Sequence, residues 1–156
     1  MKTELLDITI DRSTPFDLAK FFGEGEWSIN EEDKNALKLK EVDLTKVRME
    51  PMLEEGERYV QGEEKLRRLK KAKHIRLDAK VFQTLWENQD LIPATWKEKT
   101  NGNTTYIYFD GTVIRSPSGH RYVLCLCWDG VRWDWLFDWL DYYGWRANCL
   151  SAVLAS

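Results

Sequence analysis

The chain has only two histidines, three cysteines and four prolines among its 156 residues, and each scarcity removes a class of protein. Cys125, Cys127 and Cys149 are odd in number and show neither a disulfide framework nor zinc-ribbon spacing. Cys125 and Cys127 fall on one strand face, where a buried thiol acts as a small hydrophobe. A reducing cytoplasm is the expected setting. No apolar run approaches the roughly 18–20 residues that a transmembrane helix needs. The first residues, MKTELLDITIDR, lack the basic start, apolar stretch and cleavage site of a secretory signal, so a protein without membrane contact is expected. A net charge of −3 argues against general attraction to nucleic acid or to an anionic membrane. The glycines form no phosphate-binding loop. No metal site and no cofactor are expected.

What the chain does have is tryptophan. Five of its eight lie between Thr105 and Trp145. In that stretch Asp110-Gly111, Ser116-Pro117-Ser118-Gly119 and Asp129-Gly130 separate runs of β-branched and aromatic residues. Asp-Gly pairs adopt the positive φ of tight hairpins, so four antiparallel strands are expected at roughly 105–109, 112–115, 120–128 and 131–139. In the last strand Val131, Trp133, Trp135, Phe137 and Trp139 share one face, and Arg132, Asp134 and Asp138 the other. The strand before it is apolar on both faces, as expected of a central strand covered on both sides.

Upstream, two helices are legible. The segment from Gly62 opens with Glu63-Glu64 and closes with Lys70, Lys71 and Lys73, matching the helix dipole. After a four-residue break Asp78 caps a second helix, in which Val81, Phe82, Leu85 and Trp86 recur at helical spacing. Thr14-Pro15 signals a third, short helix, ended by Gly23 and Gly25. Residues 24–57 carry eleven carboxylates against five Lys and Arg, and read equally as extended strands or as a poor helix. Apolar residues make up 43% of the chain, enough for one real core. The reading is α+β: a C-terminal four-stranded antiparallel meander packed against two to three helices, with an N-terminal strand–helix segment. Residues 1–61 form the strand–helix and acidic part and 62–156 the helix pair and meander, within a single domain or as two units. The final residues, ending in SAVLAS, are expected to dock or to fray.

The strings GEEKLRRLK, HIRLDAKVFQTLWENQDLIPATWKEK, YIYFDGTVIRSPSGHRYVLCLCWDG and SAVLAS, with TIDRSTPFD and EVDLTKV, resemble an uncharacterised family of hypothetical proteins from small-genome candidate-phylum bacteria. The resemblance covers most of the chain. It implies a bacterial, intracellular setting and no activity. Where that family closes with Asn-Pro before Ser-Ala-Val-Leu, this chain has Asn148-Cys149-Leu150, so its tail geometry is expected to differ.

Three constellations compete for a function. Trp133, Trp135 and Trp139, with Tyr142, Tyr143 and Trp145 after them, form a candidate stacking surface for a protein or small ligand. Against this, the helix from Asp78 needs a sheet face to bury its own apolar side. Lys65, Arg67, Arg68, Lys70, Lys71, Lys73 and Arg76 place seven positive charges in twelve residues, and helix–turn–helix–hairpin is the order of a winged helix, so nucleic-acid binding is the second reading. A solvated face paired with the acidic 24–57 region is the plainer account. An enzyme using His120, Cys125 and Asp129 is the third, without any nucleophile elbow or helix-start thiol to support it. Asp134 and Asp138, about 13 Å apart along a strand, are too distant for a glycosidase pair. A non-catalytic binding module ranks first. Homodimerisation through the aromatic patch or an edge strand is a further reading.

Overall fold

The computed structural model describes residues 7–155; the pattern of residues 4–10, ELLDITI, reads as a short strand, and its first part, 4–6, lies outside them. In chain order the elements are β1 (Asp7–Thr9), α1 (Leu18–Phe22), β2 (Ser28–Glu32), β3 (Glu41–Asp43) and β4 (Arg48–Glu50). Then follow α2 (Gly62–Ala72), β5 (Ile75–Arg76), α3 (Ala79–Glu87), β6 (Tyr106–Arg115), β7 (Arg121–Trp128), β8 (Trp133–Trp139) and β9 (Cys149–Leu154). The α+β class holds: an N-terminal strand–helix segment precedes a mixed, mainly antiparallel sheet packed on helices. The sheet runs β4-β9-β6-β7-β8, with β2 added to β6 and β5 to β9, while β1 and β3 pair separately. No described helix is long and apolar enough to cross a membrane.

Two connections differ from the expected meander. The first is at Asp110-Gly111, where β6 runs straight through as one strand. Gly111 is used for close approach, not for a turn. Its N–H donates to the Leu77 carbonyl at 2.8 Å and its carbonyl accepts the Asp33 N–H at 2.7 Å. A Cβ there would lie 2.2 Å from the Arg76 carbonyl oxygen. The Arg76 guanidinium donates to the Asp110 carbonyl at 2.7 Å, and Thr112 Oγ1 accepts the Ala79 N–H at 2.9 Å. The chain leading into α3 is therefore sewn to the middle of β6. The register of β6 against β7 shifts at this point, and the meander has three strands, β6–β7–β8.

The second difference is the tail. Residues 149–154 do not fray: β9 lies parallel to β6 through Tyr106↔Cys149 to Tyr108↔Ser151 and takes β4 on its other side. Ser151, Ala152 and Val153 are buried. The other expected turns form. Gly119 and Gly130 have positive φ, and Asp129 Oδ1 accepts the N–H groups of Val131 and Arg132 at 2.8 and 2.7 Å.

The two long helices form where the charge and cap patterns place them, but they lie on opposite faces of the sheet. Leu66 of α2 packs with Tyr108, Val123 and Cys125. On the other side Val81, Phe82 and Leu85 of α3 pack with Phe109, Leu124 and Leu126. Alternation along β6 and β7 sends these two sets to opposite sides. β7 is thus the central strand its sequence implied, with Val123–Cys127 all buried. Each fully buried Leu, Val or Phe contributes about 1.5–3 kcal/mol to such a core. The short helix begins later than the Thr14-Pro15 signal: Asp17 is its cap, accepting the Lys20 N–H at 3.1 Å. The acidic region resolves into short strands and single helical turns, which settles its ambiguity in favour of extended chain.

Candidate functional site

β8 is the long free edge of the sheet. Its partner register is regular from Tyr122↔Trp139 to Trp128↔Trp133. The bonds Leu140 N–H to Arg121 carbonyl and Asp129 N–H to Arg132 carbonyl, at 2.9 and 3.1 Å, fix which residues bond inward. Even-numbered β8 residues face β7, so the N–H and C=O groups of Trp133, Trp135, Phe137 and Trp139 point to the open edge. Two of these groups are engaged locally. Asp134 Oδ1 takes the Trp135 N–H at 2.8 Å, and the Trp139 carbonyl accepts the Tyr142 N–H at 3.0 Å. Phe137 keeps both backbone groups free among the described residues.

The side chains of β8 give its two faces different chemistry. On the α3 side Trp135 and Phe137 join a continuous aromatic wall with Phe21, Phe22, Trp27, Phe82 and Tyr122. Ring centroids are 5.1 Å apart for Phe22–Phe137, 5.2 Å for Phe21–Trp135, 5.2 Å for Tyr122–Phe137 and 4.5 Å for Phe22–Trp27. Pairs of this geometry contribute about 0.5–1.5 kcal/mol each beyond their buried area. α1 contributes Phe21 and Phe22 to this wall, and both also pack against the main core. On the α2 side stand Asp134, Leu136 and Asp138, with Asp138 accepting the hydroxyl of buried Tyr108. Leu136 on the α2 side, and Phe137 and Trp139 on the α3 side, remain about 40% exposed, so both faces of the free edge carry apolar surface.

The six aromatic residues singled out from sequence do not form one platform. Trp133 is buried at the hairpin end against Trp128, whose ring lies 4.0 Å from Lys97 Nζ. Trp135 is in the wall. Trp139 stands at the far end, edge-on to His120 at 4.8 Å. Tyr142 and Tyr143 are exposed on the following loop. Trp145 turns to the opposite face and is buried 4.3 Å from Tyr108. Phe22, Trp27 and Tyr122 were absent from that set. Their signal was an adjacent Phe21-Phe22 pair and a lone tryptophan, too short to reveal a partner 95 or more positions away in sequence.

The basic stretch is mostly committed within the fold. Lys65 is buried, donating to the Cys149 carbonyl at 2.6 Å with Tyr108 and Trp145 rings beside it, and burial pushes its ammonium pKa down. Arg67 pairs with Glu64, Arg68 with Glu57 at 2.6 Å, Lys70 with Glu31, and Arg76 with Asp33 at 3.7 Å. Lys71 and Lys73 stay at the surface outside these pairs. The winged-helix-like arrangement expected of residues 63–76 is not formed, since α2 and α3 lie across the sheet from each other. No family, curated protein or solved structure matches this chain.

The third constellation separates as well. Burial pushes the Cys125 thiol well above its ordinary value, and Asp138 adds to the effect. Burial likewise raises Cys127, to about 11, and nearby Asp134 and Asp129 act in the same direction. Thiols so placed stay protonated and unreactive. His120 is exposed on the β6–β7 loop, while Cys125 lies in the interior under α2. No group of three metal-liganding side chains comes together among the described residues.

Proposed function

We propose that this chain is a non-catalytic interaction module that captures an extended segment of a partner protein by strand addition to β8. The supporting observation is the free Phe137 backbone, one residue past the centre of a seven-residue edge strand and close to exposed Leu136 and Trp139. Long apolar edges are ordinarily blunted in soluble proteins, and here the only blunting on the strand is Asp134 and Asp138. Strand addition uses main-chain bonds for affinity and alternate side chains for specificity. Across Asp134 and Asp138 an incoming strand would need Lys or Arg four positions apart, with an apolar residue between them opposite Leu136. Its alternate side chains would meet the aromatic wall. Opposite charges directly across a strand pair contribute about 0.2–1 kcal/mol each, so the pattern selects partners more than it binds them.

The test is a nine-residue peptide with lysines four apart among apolar residues, compared with the same peptide carrying glutamates. Amide hydrogen exchange should show new protection at Phe137 and Trp139 with the lysine peptide only. Phe137→Pro should remove binding, because the outward N–H it deletes is not part of the β7–β8 ladder and an edge tolerates proline. Phe137→Leu, which keeps that N–H, should retain it. Binding without protection at these amides, or unaffected by proline, would refute strand addition. Concentration-dependent protection of the same amides without peptide would assign the edge to a second copy of the chain instead.

A further inference from the structure

Beside the start of α3, a cavity of about 320 Å³ lies between the segment 12–16, β2 and Leu37. None of its lining residues belongs to β7 or β8, so it is separate from the strand edge. Phe16, Ile29 and Leu37 give it an apolar wall, with Ile29 and Leu37 both left exposed.

Most polar groups around it are already satisfied. The Arg12 guanidinium donates to Asp78 Oδ2, the Leu39 carbonyl and the Ala36 carbonyl, each at 2.7 Å. Asp78 also accepts the Val81 N–H at 3.2 Å as the helix cap. Thr112 Oγ1 is bonded to the Ala79 N–H. Two charged groups are different. Lys80 Nζ reaches only uncharged oxygens, Thr14 Oγ1 at 2.9 Å and the Pro15 carbonyl at 3.4 Å. Asp11, whose field it shares, is turned to the Ser13 hydroxyl and N–H. Glu32 is half-buried and forms no hydrogen bond or ion pair among the described residues. Burial and the neighbouring Asp78 push its carboxyl up in spite of Arg12, as befits an acid with no cation of its own.

A ligand that completes both groups must carry a cation and an anion on one small body with an apolar remainder. The volume is near the lower end of the roughly 300–1,000 Å³ range of ligand sites, which suits an amino acid and is tight for a nucleotide. We propose that the cavity binds a small zwitterion of the amino-acid type, its ammonium on Glu32, its carboxylate on Lys80 and its apolar side chain against Phe16, Ile29 and Leu37. The proposal is independent of the strand edge.

Calorimetric titration of the full chain with L-leucine, leucinamide and 4-methylpentanoate tests it, because the two analogues lack the carboxylate and the ammonium respectively. Leucine should saturate, with each analogue at least tenfold weaker. Glu32→Gln should weaken leucine and leucinamide and leave 4-methylpentanoate unchanged. Lys80→Met should weaken leucine and 4-methylpentanoate and leave leucinamide unchanged. That crossed pattern cannot come from a general disturbance of the fold, which would weaken all three alike. Leucine that fails to saturate below about 10 mM, analogues that bind as well as leucine, or variants that weaken every probe equally would each overturn the assignment.

Discussion

A methyl group at position 111 would have nowhere to go. Its carbon would sit 2.2 Å from the Arg76 carbonyl oxygen and 2.7 Å from that of Leu77, both backbone atoms held in place by β5 and by the cap of α3. Neither can yield without breaking the bond from Gly111 N–H to Leu77 or the one from Arg76 to Asp110. Gly111→Ala should therefore cost about 3 kcal/mol, at the upper end of overpacking penalties, read as a lowered urea midpoint with unchanged slope. Gly130→Ala, where a Cβ meets nothing within 4 Å and only the φ of 100° is strained, should cost less. The same contrast explains why Asp110-Gly111 looks like a turn in the sequence and is none in the fold. An Asp-Gly pair serves a turn through its φ and a close crossing through its missing side chain. Which applies depends on a neighbour 34 residues away, to which the local pattern gives no clue.

Elements were legible in proportion to how much of their stabilisation is local. α2 and α3 announce themselves through end charges, the Asp78 cap and a 3.6-residue apolar period, all contained within the helix. β7 and β8 announce themselves through alternation around Asp129-Gly130. The aromatic stripe of the candidate site was visible for that reason, but its cover was not, since α1 and Trp27 are fixed by rings on β7 and β8 and by contacts to α3, all distant in sequence. β2, β4 and β9 are three to six residues each and carry no turn signal, so their place in the sheet follows from distant partners. β9 is the sharpest case. Read as a tail, its removal should be harmless; seen between β4 and β6, it is structural. A chain ending at Asn148 should lose the cooperative thermal transition of the full chain. It would also expose Ile107 and leave buried Lys65 without the Cys149 carbonyl to which it donates. A truncated chain that melts cooperatively within a few degrees of the full one would show that β9 contributes little.

Across the whole molecule, acidic and basic segments distant in sequence are clasped together, and this makes stability depend on pH in a defined direction. The 50–57 segment is held to α2 by Arg68, which bonds Glu57 and the Met52 carbonyl. β2, α2 and β7 meet at Glu31, which faces Lys70 and Arg121, while Arg121 also reaches Glu63. The Arg68 hydrogen bonds and the Glu54 N–H pull the Glu57 carboxyl down from 4.5 to about 2. Burial opposes ionisation of Glu31, yet the Lys70 bond and the charges of Lys70, Arg121 and Arg76 prevail and lower it too. A carboxylate depressed in the folded state binds fewer protons there than in the unfolded chain, so stability falls as the pH drops. The contribution of Glu57 should be complete above about 4.5 and lost progressively towards about 2. Glu57→Gln should lower the melting temperature at neutral pH, and the gap to the wild type should narrow as the pH falls below about 4.5 and close only below about 2, where both side chains are neutral. Thermal melts at stepped pH and constant low ionic strength read this directly. A gap that stays constant down to that pH would mean that Glu57 acts through packing, and that the clasp on α2 owes nothing to its charge.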